Sequence, residues 1–227
     1  MTAAPAVYLI TGIPASGKST VAQALAERLP RSVHLRGDAF RRMVVNGRAD
    51  MTPAPSAEAA AQLALRHRLT AGAADPYHEA GFTVVAQDVV LGAHLPAMVA
   101  AIRARPLFVV VLAPTPSAVA ARESGRAKSA YDPHGWTAAP AHDPGRESDR
   151  PKFAYDPHGR TVAPAHEPDR ESDRPKSAYD QHGWTVESLD AELRERTPRI
   201  GLWLDTSDQS PPETVDAILA RARPFHD

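Results

Sequence analysis

The chain has 227 residues, 43% of them hydrophobic, with 26 basic against 27 acidic side chains and a formal charge of -1, so it can bury a core but carries no bulk positive field for a nucleic-acid polymer or an anionic membrane. Zero cysteines exclude a disulfide scaffold, thiol catalysis and Cys-ligated zinc or iron–sulfur sites. The apolar run Leu107 to Ala113 is too short to span a bilayer, and the N-terminus lacks the basic start and cleavage site of a signal peptide, which reads as a cytoplasmic protein.

Taken in chain order, Ala6 to Thr11 is a buried-strand run, Lys18 to Leu29 is helical, and Val33 to Arg36 is a short strand. Asp38 to Val45 reads as helix. After the turn-rich Thr52 to Ser56, an Ala-rich helix runs to about Ala80, with a break expected at Asp75-Pro76. Phe82 to Ala86 is a strand, Leu95 to Arg103 a helix, and Leu107 to Leu112 the most apolar strand. Thr115-Pro116 opens another helix through its cap and first-turn proline. Thr185 caps a helix reaching about Arg196, Ile200 to Leu204 is a strand, and Ser210 to Glu213 starts the last helix with capping-box spacing. Five strands alternating with helices predict an α/β fold, a five-stranded parallel sheet covered on both faces.

Between Arg122 and Trp184 the pattern changes. Tyr131, Tyr155 and Tyr179 head the phrases YDPHG, YDPHG and YDQHG at a 24-residue period, each preceded by a basic phrase from Arg122, Arg146 or Arg170. Two extra units amount to 48 residues, and the remaining 179 suit one domain. From Arg122 to Lys176 there are ten basic and ten acidic residues with few aliphatics, so this segment cannot build a core of its own. It reads as a Pro-rich insertion in a lid region, either loosely packed or a small ordered repeat. The expected organisation is the first part of a core in residues 1–121, the repeat-bearing lid in 122–184, and the last helix, strand and helix of the core in 185–227.

The strongest motif lies between the first strand and helix, where GIPASGKST from Gly12 to Thr20 is a complete GxxxxGK[ST]. Gly12, Pro14, Ala15, Ser16 and Gly17 would wrap backbone N–H groups around a phosphate at a helix N-terminus, with Thr20 closing the motif. Lys18 would bridge the β- and γ-phosphates, and the Ser19 hydroxyl would ligate magnesium. Lys18 is also the only lysine outside the repeats in a chain with 22 arginines, which suits a compact ammonium in a cradle too small for a guanidinium.

Asp38 falls just past the second strand, at the carboxyl edge where ligands bind in such sheets. It can act as general base toward an acceptor hydroxyl, or as the N-cap of a helix beginning at Ala39. No guanine-reading NKxD occurs, and the core is too small for a ring ATPase.

The phrases GIPASGKST, RGDAFRRM, VVAQDVVLG and RESGRAKSAY resemble the chloramphenicol phosphotransferase-like branch of small P-loop kinases, related to polynucleotide 5′-hydroxyl kinases and zeta toxins. The resemblance implies a P-loop NTPase three-layer sandwich on a five-stranded parallel sheet, ATP with Mg2+ as donor, and Asp38 as the base that activates the acceptor. It places Asp88 near the magnesium or the acceptor, an alternative to a plain turn cap before Val89; Gln87 and His94 are candidates to line the acceptor pocket, with a solvated cap the alternative for His94. Arg41 and Arg42 are consecutive on one helix, so at most one points into that pocket. The acceptor expected is a small molecule with a hydroxyl, an antibiotic or metabolite; a nucleoside, nucleotide sugar or 5′ end is the alternative, and a catalytically silent nucleotide-binding module another.

Arg122 and Arg126 lie one helical turn apart where small kinases close an arginine-bearing lid, so both can face the nucleotide. Arg146/Arg150 and Arg170/Arg174 repeat the same chemistry in the duplicated units. Five of the ten histidines belong to the repeats and lack metal-ligand spacing.

Overall fold

Residues of alternating orientation divide the three central strands between two buried faces. In the computed structural model, which describes residues 4–126, Tyr179 and 183–225, strands β1 (Val7–Thr11), β2 (Ser32–Arg36), β3 (Thr83–Gln87), β4 (Leu107–Leu112) and β5 (Leu202–Leu204) form one sheet in the order β2-β3-β1-β4-β5. Every pairing is parallel, with Ile10 opposite both Gln87 and Val110, Leu35 opposite Ala86, and Leu112 opposite Leu204. Parallel strands require crossover helices, and these cover both faces.

On one face, Val7, Leu9, Val84, Ala86, Val109 and Val111 pack in the cluster that takes in Ala71 and Ala74 of α3 (Ala57–Glu79), Leu95, Met98 and Val99 of α4 (His94–Ala101), and Val119 of α5 (Pro116–Arg126). Leu189 of α6 (Val186–Ala191) and Leu193 of the π-helical turn Glu192–Arg196 complete it. On the other face Ile10, Val85, Val110 and Leu112 meet Val21, Ala22 and Leu25 of α1 (Lys18–Arg28) and Val215 and Ile218 of α7 (Pro211–Arg221). The expected P-loop NTPase sandwich is therefore present, and the sheet's carboxyl edge gathers the turns after β1, β2 and β3. Among the described residues no helix is long and apolar enough to cross a membrane.

Local differences from the sequence reading have physical causes. No break occurs at Pro76, which stands inside α3. The buried carboxylate of Asp75 accepts from the backbone N–H groups of Arg103 and Ala104, at 3.1 and 2.9 Å, and the core contacts of Ala71 and Ala74 hold the helix on course past its missing hydrogen bond. Asp38 is not an N-cap: Gly37 holds that position and Asp38 is the first residue of α2 (Asp38–Arg42), its charge beside the positive end of the short helix. Asp88 stands one residue beyond β3. The predicted helix reaching Arg196 changes to a π turn at Glu192.

Two compact units partition the chain, Met1–Gly125 with Lys176–Asp227, and Arg126–Pro175. The architecture above is that of the first. Beyond the backbone of Arg126, the second lies outside the described residues, and with it the first two tyrosines of the repeat, Arg146, Arg150, Arg170, Arg174 and the first four repeat histidines.

Candidate functional site

The turn after β1 is shaped by close approach. A Cβ on Gly12 would lie 2.5 Å from the Leu112 carbonyl oxygen and 2.8 Å from Ser16 Oγ, so only glycine lets the loop lie against β4. Ala15 and Gly17 both take left-handed conformations, at φ +57° and +95°, which turns successive N–H groups inward into an anion-binding concavity. The first turn of α1 has no capping side chain and no acidic residue, leaving its N–H donors and the positive end of its dipole for an external anion. The buried Ser16 Oγ and Thr206 Oγ1 have no hydrogen-bond partner among the described residues. These features fit a bound nucleotide.

Lys18 is buried and its Nζ donates to the Ile13 carbonyl at 2.7 Å, which folds the ammonium over the loop. Ser19 Oγ lies 3.5 Å from Gln87 Oε1, while Thr20 is exposed. Thr11 ties the base of the loop to the segment after β3: its hydroxyl donates to the Val90 carbonyl and accepts from the Val90 N–H, at 3.0 and 2.9 Å.

Two side chains from distant segments brace the same loop. Arg122 donates to the carbonyls of Ser16 at 3.3 Å, Thr206 at 2.5 Å and Ser207 at 3.2 Å, linking the loop to the turn after β5. The Tyr179 hydroxyl donates to the Pro14 carbonyl at 2.7 Å and its ring is buried in the core cluster. The tyrosine of the third repeat copy thus belongs to the P-loop surroundings. The side chain of Arg126 lies outside the described set.

Asp88 is buried behind the loop. Its Oδ1 accepts from the Val89 N–H at 2.7 Å, and its Oδ2 is 3.0 Å from Arg66 Nε of α3. That approach is an ion pair set off the hydrogen-bond line, since neither atom has a hydrogen-bond partner. Burial pushes the Asp88 carboxyl above its usual range; Arg66, the Val89 N–H and Lys18 pull it down, and the negative charge of Asp38 pushes it up. Those influences place Asp38, Asp88 and Lys18 in one electrostatic neighbourhood. His67, also buried, is lowered to about 4, by burial first and then by the charges of Arg66 and His94; its ring meets His94 edge-on at 5.5 Å.

Asp38 lies in the wall of a cavity of about 630 Å³ that begins at Pro14 of the phosphate loop. Phe40, Val44, Met51, Leu63, Leu69 and Trp184 are among its apolar lining. The loop between α2 and α3 is held by Gln62, whose Nε2 donates to the Gly47 carbonyl and whose Oε1 accepts from the Ala49 N–H, at 2.8 and 2.9 Å. Trp184 Nε1 donates to the Met51 carbonyl at 3.1 Å, joining that loop to the start of α6.

The residues proposed from the sequence thus gather at one edge of the sheet. Arg41 lines the cavity and pairs with Asp50 at 2.5 Å, while Arg42 lies back on Asp38 at 3.3 Å. His94 also lines it, whereas Gln87 sits beside Ser19. Asp88 touches Arg66 and Val89, and among the described residues no group of three or more histidines and carboxylates is arranged to hold a metal ion. Sequence reasoning missed Arg66 and Gly37. Arg66 sits in an Ala-rich helix with no motif, and Gly37 carried a signal only as the glycine before Asp38.

Comparisons with known proteins agree with this architecture. APS kinase of Mycobacterium tuberculosis, solved in complex with AMPPNP and APS, is 16% identical, with 96% of this chain and 96% of that chain covered at a TM-score of 0.56. A gluconokinase from Sinorhizobium meliloti 1021 is 16% identical over 95% of this chain and 90% of its own, with a TM-score of 0.52. The tunicamycin resistance protein of Deinococcus radiodurans is 15% identical over 97% and 99%, also with a TM-score of 0.52. At these identities the likeness is one of fold. No curated protein sequence gives a significant match. Residues 7–139, more than half of the chain, match the family model described as AAA domain, and the chain belongs to that family.

Proposed function

We propose that this member of the AAA domain family is a phosphotransferase that moves the γ-phosphoryl group of ATP to a hydroxyl of a small molecule. The observation that carries this reading is the adjacency of an uncapped P-loop helix and a carboxylate-bearing cavity, with Pro14 shared by both. A nucleotide-binding module needs only the first; the second gives an acceptor somewhere to stand. Kinases among the structural relatives, one of them solved with AMPPNP and APS, support it.

In this reading the loop Gly12 to Gly17 and the first N–H groups of α1 hold the phosphates, and Lys18 leaves the Ile13 carbonyl to neutralise charge on the transferred group. Ser19 is the protein's ligand for Mg2+, with Gln87 beside it and Asp88 as the nearby carboxylate. Arg122 clamps the loop against the turn after β5, and the role of second lid arginine, neutralising charge on the transferred group, goes to Arg126. Asp38 accepts the proton of the acceptor hydroxyl. When bound, ATP with Mg2+ supplies the phosphoryl group: the bond from the γ-phosphorus to the bridging oxygen breaks as the acceptor oxygen bonds to phosphorus, and ADP leaves. Before transfer the Asp38 carboxylate has to part from Arg42, a half-exposed pair worth at most about 1 kcal/mol.

The test is ATP-dependent phosphorylation followed by mass spectrometry with a mixed panel of hydroxylated antibiotics, nucleosides, sugars and a 5′-hydroxyl oligonucleotide. A product whose formation is lost with Lys18→Ala supports the reading. Turnover retained by the folded Lys18→Ala protein removes it.

A further inference from the structure

The arginines that line the cavity beside Asp38 use their donors differently. Arg41 donates from Nε to Asp50 at 2.6 Å, and Arg196 donates from Nη1 to Glu192 at 3.4 Å. No hydrogen bond joins the Arg66 side chain to a described residue. Its Nε stands 3.0 Å from Asp88 Oδ2 but off the hydrogen-bond line, and only 14% of the side chain is exposed. A guanidinium is thus kept largely out of water with its N–H donors unused. Buried polar groups are as a rule hydrogen-bonded, and charged ones most of all, so these donors call for an acceptor from outside the chain.

The surroundings indicate which one. Asp88 responds to the positive charges of Arg66 and Lys18 and to the negative charge of Asp38, so α3 and the start of α1 bring two cations to the same carboxylate. A γ-phosphate seated at Lys18 comes toward both Asp38 and Asp88, and their like charge opposes it. Arg42, also near, is half-exposed and lies on Asp38. His67, the next residue of α3, is lowered to about 4 by burial and the charges of Arg66 and His94 and is neutral at pH 7; its ring meets His94, another lining residue, at 5.5 Å. The planar fork of Arg66 can serve Asp88 with one edge and a phosphoryl oxygen with the other, so it need not abandon the buried carboxylate.

We propose, resting on the phosphotransferase reading, that Arg66 is a further catalytic residue: its free N–H donors hold the γ-phosphoryl group of ATP together with Lys18, while Nε stays beside Asp88. One cation then offsets the repulsion of two carboxylates and gives the transferred group a second positive contact. Because the contact needs the third phosphate, it also separates ATP from ADP.

The experiment measures binding of ADP and of AMPPNP, each with Mg2+, to the full chain by calorimetry, which requires no acceptor. The wild type should hold AMPPNP more tightly than ADP. Arg66→Met should cut that preference at least about tenfold, the strength of a hydrogen bond to a charged group, with ADP affinity kept within about twofold. Arg196→Met, in the same wall, should leave the preference intact. Removing one partner of a buried pair can prevent folding, so the comparison is repeated between Asp88→Asn and Asp88→Asn with Arg66→Met, where no carboxylate at this position is left uncompensated; adding Arg66→Met should again remove the preference. A wild type that binds the two nucleotides equally, a preference that survives the loss of Arg66, an equal loss of ADP and AMPPNP affinity, or a loss shared by Arg196→Met overturns the proposal. A wild type that binds neither nucleotide overturns the phosphotransferase reading, and the proposal with it.

Discussion

Gly37 occupies a position that the Asp88 carboxylate requires: a Cβ there would fall 2.7 Å from Asp88 Cγ and 2.9 Å from Thr70 Oγ1. The N-cap of α2 and the ion pair between Asp88 and Arg66 therefore share one small space, so the helix that presents Asp38 can dock only where the residue before it has no side chain.

Gly37→Ala should move either α2 or Asp88, because neither the backbone nor a buried ion pair yields cheaply. We expect a loss of about 2 kcal/mol in stability and a greater loss of any transfer activity. Chemical denaturation of the two proteins checks it, and equal midpoints would mean that the carboxylate has room to turn aside.

Asp38→Asn keeps the side-chain shape and removes the proton acceptor. Its wild-type partner is the half-exposed Arg42, so stability should change by less than about 1 kcal/mol, while kcat should fall by about 10²–10⁴ with the KM for ATP unchanged. Steady-state kinetics with an acceptor alcohol that the wild type phosphorylates decide it; an unaltered kcat reduces Asp38 to a residue of the first helical turn.

Tyr179→Phe removes the hydroxyl that donates to the Pro14 carbonyl and leaves the buried ring. A loss of about 1 kcal/mol is expected, with a severalfold rise in the KM for ATP because the phosphate loop loses a brace. Thermal unfolding and ATP titration read the two effects, and an unchanged KM would confine the tyrosine to packing.

His67 is lowered to about 4 by burial and by the charges of Arg66 and His94. In the unfolded chain it titrates near 6.5, so between these values the unfolded state holds more protons and folding weakens as pH falls. Stability should be level above pH 6.5 with respect to this group and decline toward pH 4. His34, lowered to about 4 by burial and Arg36, adds in the same direction, with less weight because its ring is only partly covered and Nδ1 meets Gln23 at 2.8 Å. Comparing urea midpoints at pH 7 and pH 5 for the wild type and His67→Gln tests the assignment: the variant should show the shallower decline.

Much of this site was legible in the order of residues. The phosphate loop is a contiguous motif whose conformation follows from glycine at fixed offsets, and the strand and helix patterns around it are periodic over short windows, so both survive reading one segment at a time. Asp38 could be placed at the sheet edge because it follows a strand directly. The contact of Tyr179 was not legible: its phrase differs from the other two by Gln181 in place of proline, and a bond to a carbonyl 165 residues away leaves no local signal.

The sequence by itself determined the alternation of strand and helix, the anion cradle and the candidate base, because each depends on backbone conformation or spacing within a few residues. Only the tertiary structure decided that Arg66 neutralises Asp88, that Gly37 makes room for them, that Tyr179 and Arg122 brace the loop from 165 and 106 residues away, and that every arginine lining the cavity is paired. Those are contacts between segments far apart in the chain, and their energies depend on burial and distance, which exist only after the sheet has brought the segments to one edge.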